Sequence, residues 1–249
     1  MRLKLEFVSP KSVILPQGYT KYMQAMIYNI FSKKLREFVH EAGFRSAKKF
    51  SLFCFSWILE EGRYIKKIKV FDFGNKISFY ISSPAKVLME DILNGLFKNE
   101  HFRLGENELY VSSVVSVEKN FGNLDAVEVS ALTPIEVHRT YVENGRNKTI
   151  YFSPFEKEFS ELVNMNLRNK WSAFYRQELD KNLEIIPLFE KETAERRYKK
   201  VVYYGFGNKR YIVEGWKGKY LLKGEPEVLR FVYDAGLGSK NSQGFGFIE

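Results

Sequence analysis

Three residue types within the first fifty positions could together do acid–base chemistry at an anionic centre: Tyr28, His40, and a lysine at position 48 or 49. Imidazole, with an ordinary pKa of about 6.5, can take or give a proton near neutral pH. A phenol is a poor base but a sound proton donor. An ammonium group can stabilise negative charge as it develops. None of this requires a metal. The other two histidines, His101 in Asn99-Glu100-His101-Phe102 and His138 in Glu136-Val137-His138-Arg139, read as structural. The three histidines are dispersed and form no His-Glu-x-x-His motif, so neither a metal nor another cofactor is expected.

The helices that must carry these groups leave them available. Tyr19, Tyr22, Met23, Met26, Ile27 and Ile30 recur at helical spacing. At about 100° per residue, Tyr28 falls nearly opposite that stripe. A second helical pattern holds Leu35, Phe38, Val39 and Ala42, with Ser32 as N-cap and Gly43 as stop. His40 lies about 150° from its apolar direction. Lys48 follows at the entry to the next strand, within reach of His40, and Lys49 is its rival.

Around these helices the pattern reads as strand, helix, strands, helix, strands. Arg2 to Val8 alternates, with Leu3, Leu5 and Phe7 on one face and Arg2, Lys4 and Glu6 on the other. Phe50 to Leu59 reads as a buried strand, Tyr64 to Phe73 and Ile77 to Ser82 as strands around Gly74-Asn75. A helix from Ser83-Pro84 and a strand pair from Arg103 to Val117 follow. This is the βαββαβ order. After a linker at Lys119 to Asp125 the order repeats: a strand from Ala126 to Thr140, a long helix from Pro154 to Leu179, strands at Glu184 to Pro187, Tyr198 to Tyr204 and Arg210 to Trp216, a helix from Pro226 to Ala235, and a last strand from Gly244 to Ile248. The expected fold is α+β, two tandem ferredoxin-like (RRM-like) domains over residues 1–119 and 126–249.

Composition narrows the partner. The chain has 249 residues, 45% apolar and 28% charged, which excludes a disordered chain. Its formal net charge of +9 attracts polyanions, nucleic acid before membrane. Basic clusters such as Lys33-Lys34-Arg36, Arg168-Lys170 and Lys209-Arg210 could form a phosphate track if several share a side. The single cysteine, Cys54, cannot form an internal disulfide and fits a reducing cytoplasm. No signal peptide or membrane-length apolar run is present.

Near the C-terminus, Gly236-Leu237-Gly238-Ser239-Lys240-Asn241-Ser242-Gln243-Gly244-Phe245-Gly246 packs four glycines into eleven residues. It follows a helix and precedes a strand, the reverse of a phosphate-cradling P-loop or Rossmann turn. Such a loop can lie flat against RNA or against the other domain.

This loop, with the whole-chain element order, resembles the RAMP superfamily of CRISPR-associated RNA-binding proteins. Within it the sequence looks like the stand-alone CRISPR repeat-RNA processing endoribonucleases. Met26-Ile27-Tyr28-Asn29, Phe38-Val39-His40-Glu41 and Ser46-Ala47-Lys48-Lys49-Phe50-Ser51 resemble the segments that bear a catalytic Tyr, His and Lys. The resemblance implies metal-independent cleavage of precursor RNA within the repeat. The ribose 2′-OH attacks the adjacent phosphate, leaving 2′,3′-cyclic phosphate and 5′-OH ends. His40, Tyr28 and Lys48 would be catalytic. Arg45 and Lys49, which flank that site, and Gly236, Gly238, Lys240, Asn241, Ser242, Gly244 and Gly246 of the loop would bind repeat RNA. The alternative is a non-catalytic RAMP subunit of an interference complex, and membership of such a complex or of a homodimer stays open.

Overall fold

In the computed structural model, residues 1–46, 48–204 and 211–249 are described. Lys209 and Arg210, including the expected start of a strand, lie outside them. Leu3, Leu5 and Phe7 are buried as their alternation requires, on strand β1 (Arg2–Val8). Helix α1 (Thr20–Ile30) buries Met23, Met26, Ile27 and Ile30 against that sheet. The short helix α2 (Lys33–Glu37) is capped by the Ser32 hydroxyl, which accepts from the Leu35 N–H at 3.4 Å. Strands β2 (Cys54–Phe55) and β3 (Lys76–Ser82), helix α3 (Lys86–Lys98), and strands β4 (Phe102–Leu104) and β5 (Asn107–Val117) complete the first unit. Sheet order is β2-β3-β1-β5-β4, antiparallel throughout, which is the ferredoxin-like order with one added edge strand.

The second unit repeats it. Strand β6 (Ala126–Ile135), helix α4 (Lys157–Tyr175), strand β7 (Glu184–Pro187), helix α5 (Lys191–Arg197), strands β8 (Lys199–Tyr204) and β9 (Tyr211–Lys223), and helix α6 (Pro226–Ala235) follow in turn. β9 lies between β6 and β7 and also pairs with β8. The last segment runs beside β6. Ser130 and Glu249 exchange backbone hydrogen bonds at 2.7 and 2.9 Å, and Thr133 N–H donates to the Phe247 carbonyl at 3.2 Å. Regular pairing there is reduced to one bridge, Ala131 with Ile248, because Pro134 lies in a bulge of β6 and Gly244 and Gly246 take positive φ. One core is drawn from residues between Leu3 and Leu109 and a second from residues between Phe121 and Ile248.

Several elements differ from the sequence reading. Of the buried run Phe50 to Leu59, only Cys54–Phe55 joins the main sheet, because Leu52 turns the chain with φ 51°. An unforeseen hairpin, His138–Glu143 with Arg146–Tyr151, replaces the expected end of β6. Arg2 is buried instead of solvated. Its guanidinium lies 3.5 Å from the Tyr233 ring centre and 4.2 Å from that of Phe247, and donates to the Ile248 carbonyl at 2.7 Å and to the Tyr233 carbonyl. That end of the first sheet is therefore covered by the second unit, with Phe247 stacked on Tyr80 at 5.8 Å. Among the described residues no helix is long and apolar enough to cross a membrane.

Candidate active site

His40 sits on a π-helical turn, Phe38–Ala42, that continues α2. The turn closes with the Gly43 N–H donating to the Phe38 carbonyl at 2.6 Å, an i to i+5 bond. The extra residue rotates later side chains away from the α-helical wheel. Val39 stays buried, whereas Ala42, expected in the core stripe, is exposed. Gly43 ends the turn at φ 57°, in the left-handed region that favours glycine. His40 is exposed, and its imidazole has no hydrogen-bond partner among the described residues.

Tyr28 and His40 come together. Their rings meet edge to face, with centroids 6.4 Å apart at 82°. Tyr28 is half-buried against Phe31 and Phe53, at 6.2 and 5.7 Å, which fixes its ring. Its hydroxyl lies 3.3 Å from the Ser51 Oγ. An acid–base group and a phenol thus share one accessible corner, one on a turn and one on a packed helix.

The two lysines divide. The Lys49 ammonium donates to the His40 carbonyl at 2.6 Å, and Arg45 donates to the Ala42 and Glu41 carbonyls at 2.9 and 3.2 Å. Both cations therefore sit at the carbonyl end of the turn that carries His40, where positive charge is favoured. The Lys48 ammonium has no hydrogen-bond or ion-pair partner among the described residues, and its side chain lines a cleft between the two units. The short hairpin carrying these residues is docked on α4, with Ser46 Oγ donating to the Asn169 carbonyl at 3.1 Å and Arg176 to the Arg45 carbonyl at 2.7 Å.

The glycine-rich loop forms the opposite wall. Gly236, Gly238, Gly244 and Gly246 are all buried with φ between 66° and 86°. A Cβ on Gly246 would lie 1.9 Å from the Leu237 carbonyl oxygen, and one on Gly238 would lie 2.4 Å from that of Glu136. Close backbone approach within the second unit explains Gly238 and Gly246, and side chains of the first unit, Cys54 against Gly236 and Phe55 against Gly244, leave no room at the other two. Asn241 ties the loop together, donating to the Leu237 and Phe245 carbonyls at 2.9 and 3.1 Å. Lys240 and Ser242 are partly exposed and line the cleft, whose volume is about 250 Å³.

Lys170 was grouped by sequence with surface cations, but it is buried beneath this loop. Its ammonium donates to the carbonyls of Gly236 and Gly238 at 2.6 and 3.2 Å and to the Asn241 Oδ1 at 3.0 Å. Burial pushes it down to about 8. The signal was present: Lys170 falls on the apolar stripe of α4, three residues after Leu167 and one before Trp171. Cys54 also faces the loop, donating to the Phe245 carbonyl at 3.3 Å, and burial pushes its thiol up to about 12. It is a packing residue, not a nucleophile.

Residues 117–249 match the family model described as CRISPR associated protein Cas6, C-terminal, and residues 14–115 match CRISPR-associated protein Cas6, N-terminal. The chain belongs to the Cas6 family. The CRISPR-associated endoribonuclease Cas6 1 of Methanocaldococcus jannaschii is 26% identical over 257 aligned residues, covering 100% of this chain and 92% of that protein. The Cas6 endoribonuclease of Pyrococcus furiosus is 28% identical, covering 94% of this chain and 83% of that one. A solved Cas6 structure superposes with a TM-score of 0.75 at 25% identity, over 100% of this chain and 98% of the other. A structure from a Cas6-related gene of P. furiosus shares the fold, with a TM-score of 0.82 at 18% identity. The two ferredoxin-like units of this chain are thus the fold of a Cas6 protein.

Proposed function

We propose that this chain is a metal-independent endoribonuclease that cuts CRISPR precursor RNA within the repeat. The reading rests on the meeting of His40 and Tyr28 beside a cation-lined cleft, in a chain whose curated relatives are named endoribonucleases. RNA supplies its own nucleophile. His40 takes the proton of the 2′-OH as that oxygen bonds to the adjacent phosphorus. The bond from phosphorus to the 5′-oxygen breaks, and Tyr28 donates the proton that the leaving oxygen needs. Lys48, whose ammonium has no hydrogen-bond or ion-pair partner among the described residues, stabilises the charge of the pentacoordinate phosphate. Lys49 and Arg45 hold the turn that aims His40. The products are a 2′,3′-cyclic phosphate and a 5′-OH, and DNA, lacking the nucleophile, is not cut.

The test uses 5′-labelled repeat RNA in EDTA, with wild type and His40→Ala. Wild type should cut at one position and leave a cyclic phosphate. Loss of one proton-transfer group should slow cutting by about 10²–10⁴-fold. Tight binding without any cutting by wild type would overturn the nuclease reading in favour of a non-catalytic RNA-binding subunit.

A further inference from the structure

His138, read from sequence as structural, lines the same cleft as Lys48. It opens the hairpin that follows β6, two residues after Glu136. Glu136 is completely buried, and a buried carboxylate needs a partner. His138 Nδ1 supplies it, in hydrogen-bond contact with Glu136 Oε1. Glu136 Oε2 has no hydrogen-bond partner among the described residues. The main chain at Glu136 is anchored to the glycine loop, its carbonyl accepting the Ser239 N–H at 2.8 Å. With Nδ1 engaged, the imidazole presents Nε2, which has no partner among the described residues. A carboxylate that holds one ring nitrogen of a histidine fixes the use of the other.

The surroundings say what Nε2 would meet. Lys48, Ser51, Lys170, Lys240 and Ser242 line the cleft with His138, and no acidic side chain among the described residues does. Cations, hydroxyls and an imidazole facing one space suit an anion bearing several oxygens. The cleft begins beside Ser51, the hydrogen-bond neighbour of Tyr28, so it adjoins the corner where His40 stands.

We infer that His138 is an RNA-binding residue whose Nε2 donates to a backbone phosphate of the nucleotide next to the bond cut at His40. The inference rests on the RNA-cleaving function proposed above. His138 moves no proton in the reaction; it positions the strand. The ring donates from both nitrogens only as imidazolium, and in that form it bridges Glu136 and the phosphate. The charged groups that face the ring are Glu136 on its own segment and Lys48, Lys49, Lys170 and Lys240 around the cleft. Tyr151, paired with His138 across the hairpin at 5.8 Å, stays neutral, since burial and the nearby Glu136 push it up to about 12.

The test measures binding of labelled repeat RNA at pH 6 and pH 8 in a His40→Ala background, which stops cleavage and removes the imidazole that stands beside the cleft. This protein should bind about tenfold tighter at pH 6, the gain of one charge-assisted hydrogen bond. Adding His138→Asn keeps an N–H near the Nδ1 position for Glu136 but removes Nε2, and should reduce that gain to less than about twofold. His138→Gln places its amide near Nε2 instead and donates at either pH, so it should bind at least as tightly as the parent at pH 8 while losing the gain. His101 is present in every variant and cancels. A full pH response in both variants would overturn the role of His138 alone. Failure of the wild type to bind or cut repeat RNA would overturn it together with the proposed function.

Discussion

The Tyr28 ring stands edge-on to the His40 ring, 6.4 Å between centroids, with the phenol hydroxyl 3.3 Å from Ser51 Oγ. This separates what the ring does from what the hydroxyl does. The ring packs on Phe31 and Phe53 and fixes the wall behind His40. The hydroxyl, beside Ser51 Oγ, is the group proposed to serve the leaving oxygen. Tyr28→Phe keeps the ring and removes only the hydroxyl. Cleavage by this variant should fall by about 10²-fold, with RNA affinity and thermal unfolding close to wild type. A Phe variant that cuts at the wild-type rate would reduce Tyr28 to a packing residue.

Lys48 and Lys49 are adjacent in sequence but differ in what their ammonium groups touch. Lys49 is held on the His40 carbonyl, whereas the Lys48 ammonium has no hydrogen-bond or ion-pair partner among the described residues. Removing Lys48 should therefore lower single-turnover cleavage and reduce the salt dependence of RNA binding by about 0.7 in slope, one phosphate contact on a single strand. Removing Lys49 should act through the turn. Lys49→Ala should lower cleavage while leaving the salt slope nearly unchanged, and Lys49→Arg should restore much of the rate by donating to the same carbonyl. Equal salt slopes for the two alanine variants would contradict this division.

What could be read from the sequence follows the apolar pattern. The stripe of α1 and the bounds Pro226–Ala235 of α6 were legible because each buries one clear face. The hairpin 138–151 was not, because its strands are exposed along nearly their whole length and carry no alternation. Helix α5 is short and polar, and offers only Ala194 to the core. The π-helical turn was invisible to a wheel drawn at α-helical pitch, so Ala42 was placed inside and lies outside. Arg2 and Lys170 share a further reason. Each is a cation whose partners are backbone carbonyls far along the chain, Ile248 and Gly236 among them. Such partners come into view only once the strands are paired and α6 has delivered the loop behind it. Of the candidate site, Tyr28, His40 and Lys48 could be named from sequence, whereas the Glu136–His138 pair depends on the cleft that the two units make together.

Lys170 offers a prediction in which the sign is fixed by linkage. Burial pushes its ammonium from an ordinary 10.5 down to about 8 in the folded protein. Between those values the unfolded chain binds the proton and the folded chain does not, so stability at this site rises with pH across the window. The contribution is complete above 10.5 and is lost as pH falls through about 8. Lys170→Met cannot titrate, and groups common to both proteins cancel in the comparison. The unfolding free energy of wild type minus that of Lys170→Met should therefore grow between pH 7.5 and pH 10, by on the order of 2 kcal/mol. Urea unfolding at several pH values measures it. The three acceptors around the ammonium, the Gly236 and Gly238 carbonyls and Asn241 Oδ1, work against the shift by favouring the charged form. A difference that stays level across the window would mean that they hold Lys170 charged, and that the glycine loop is pinned by an ammonium at every pH at which the protein works.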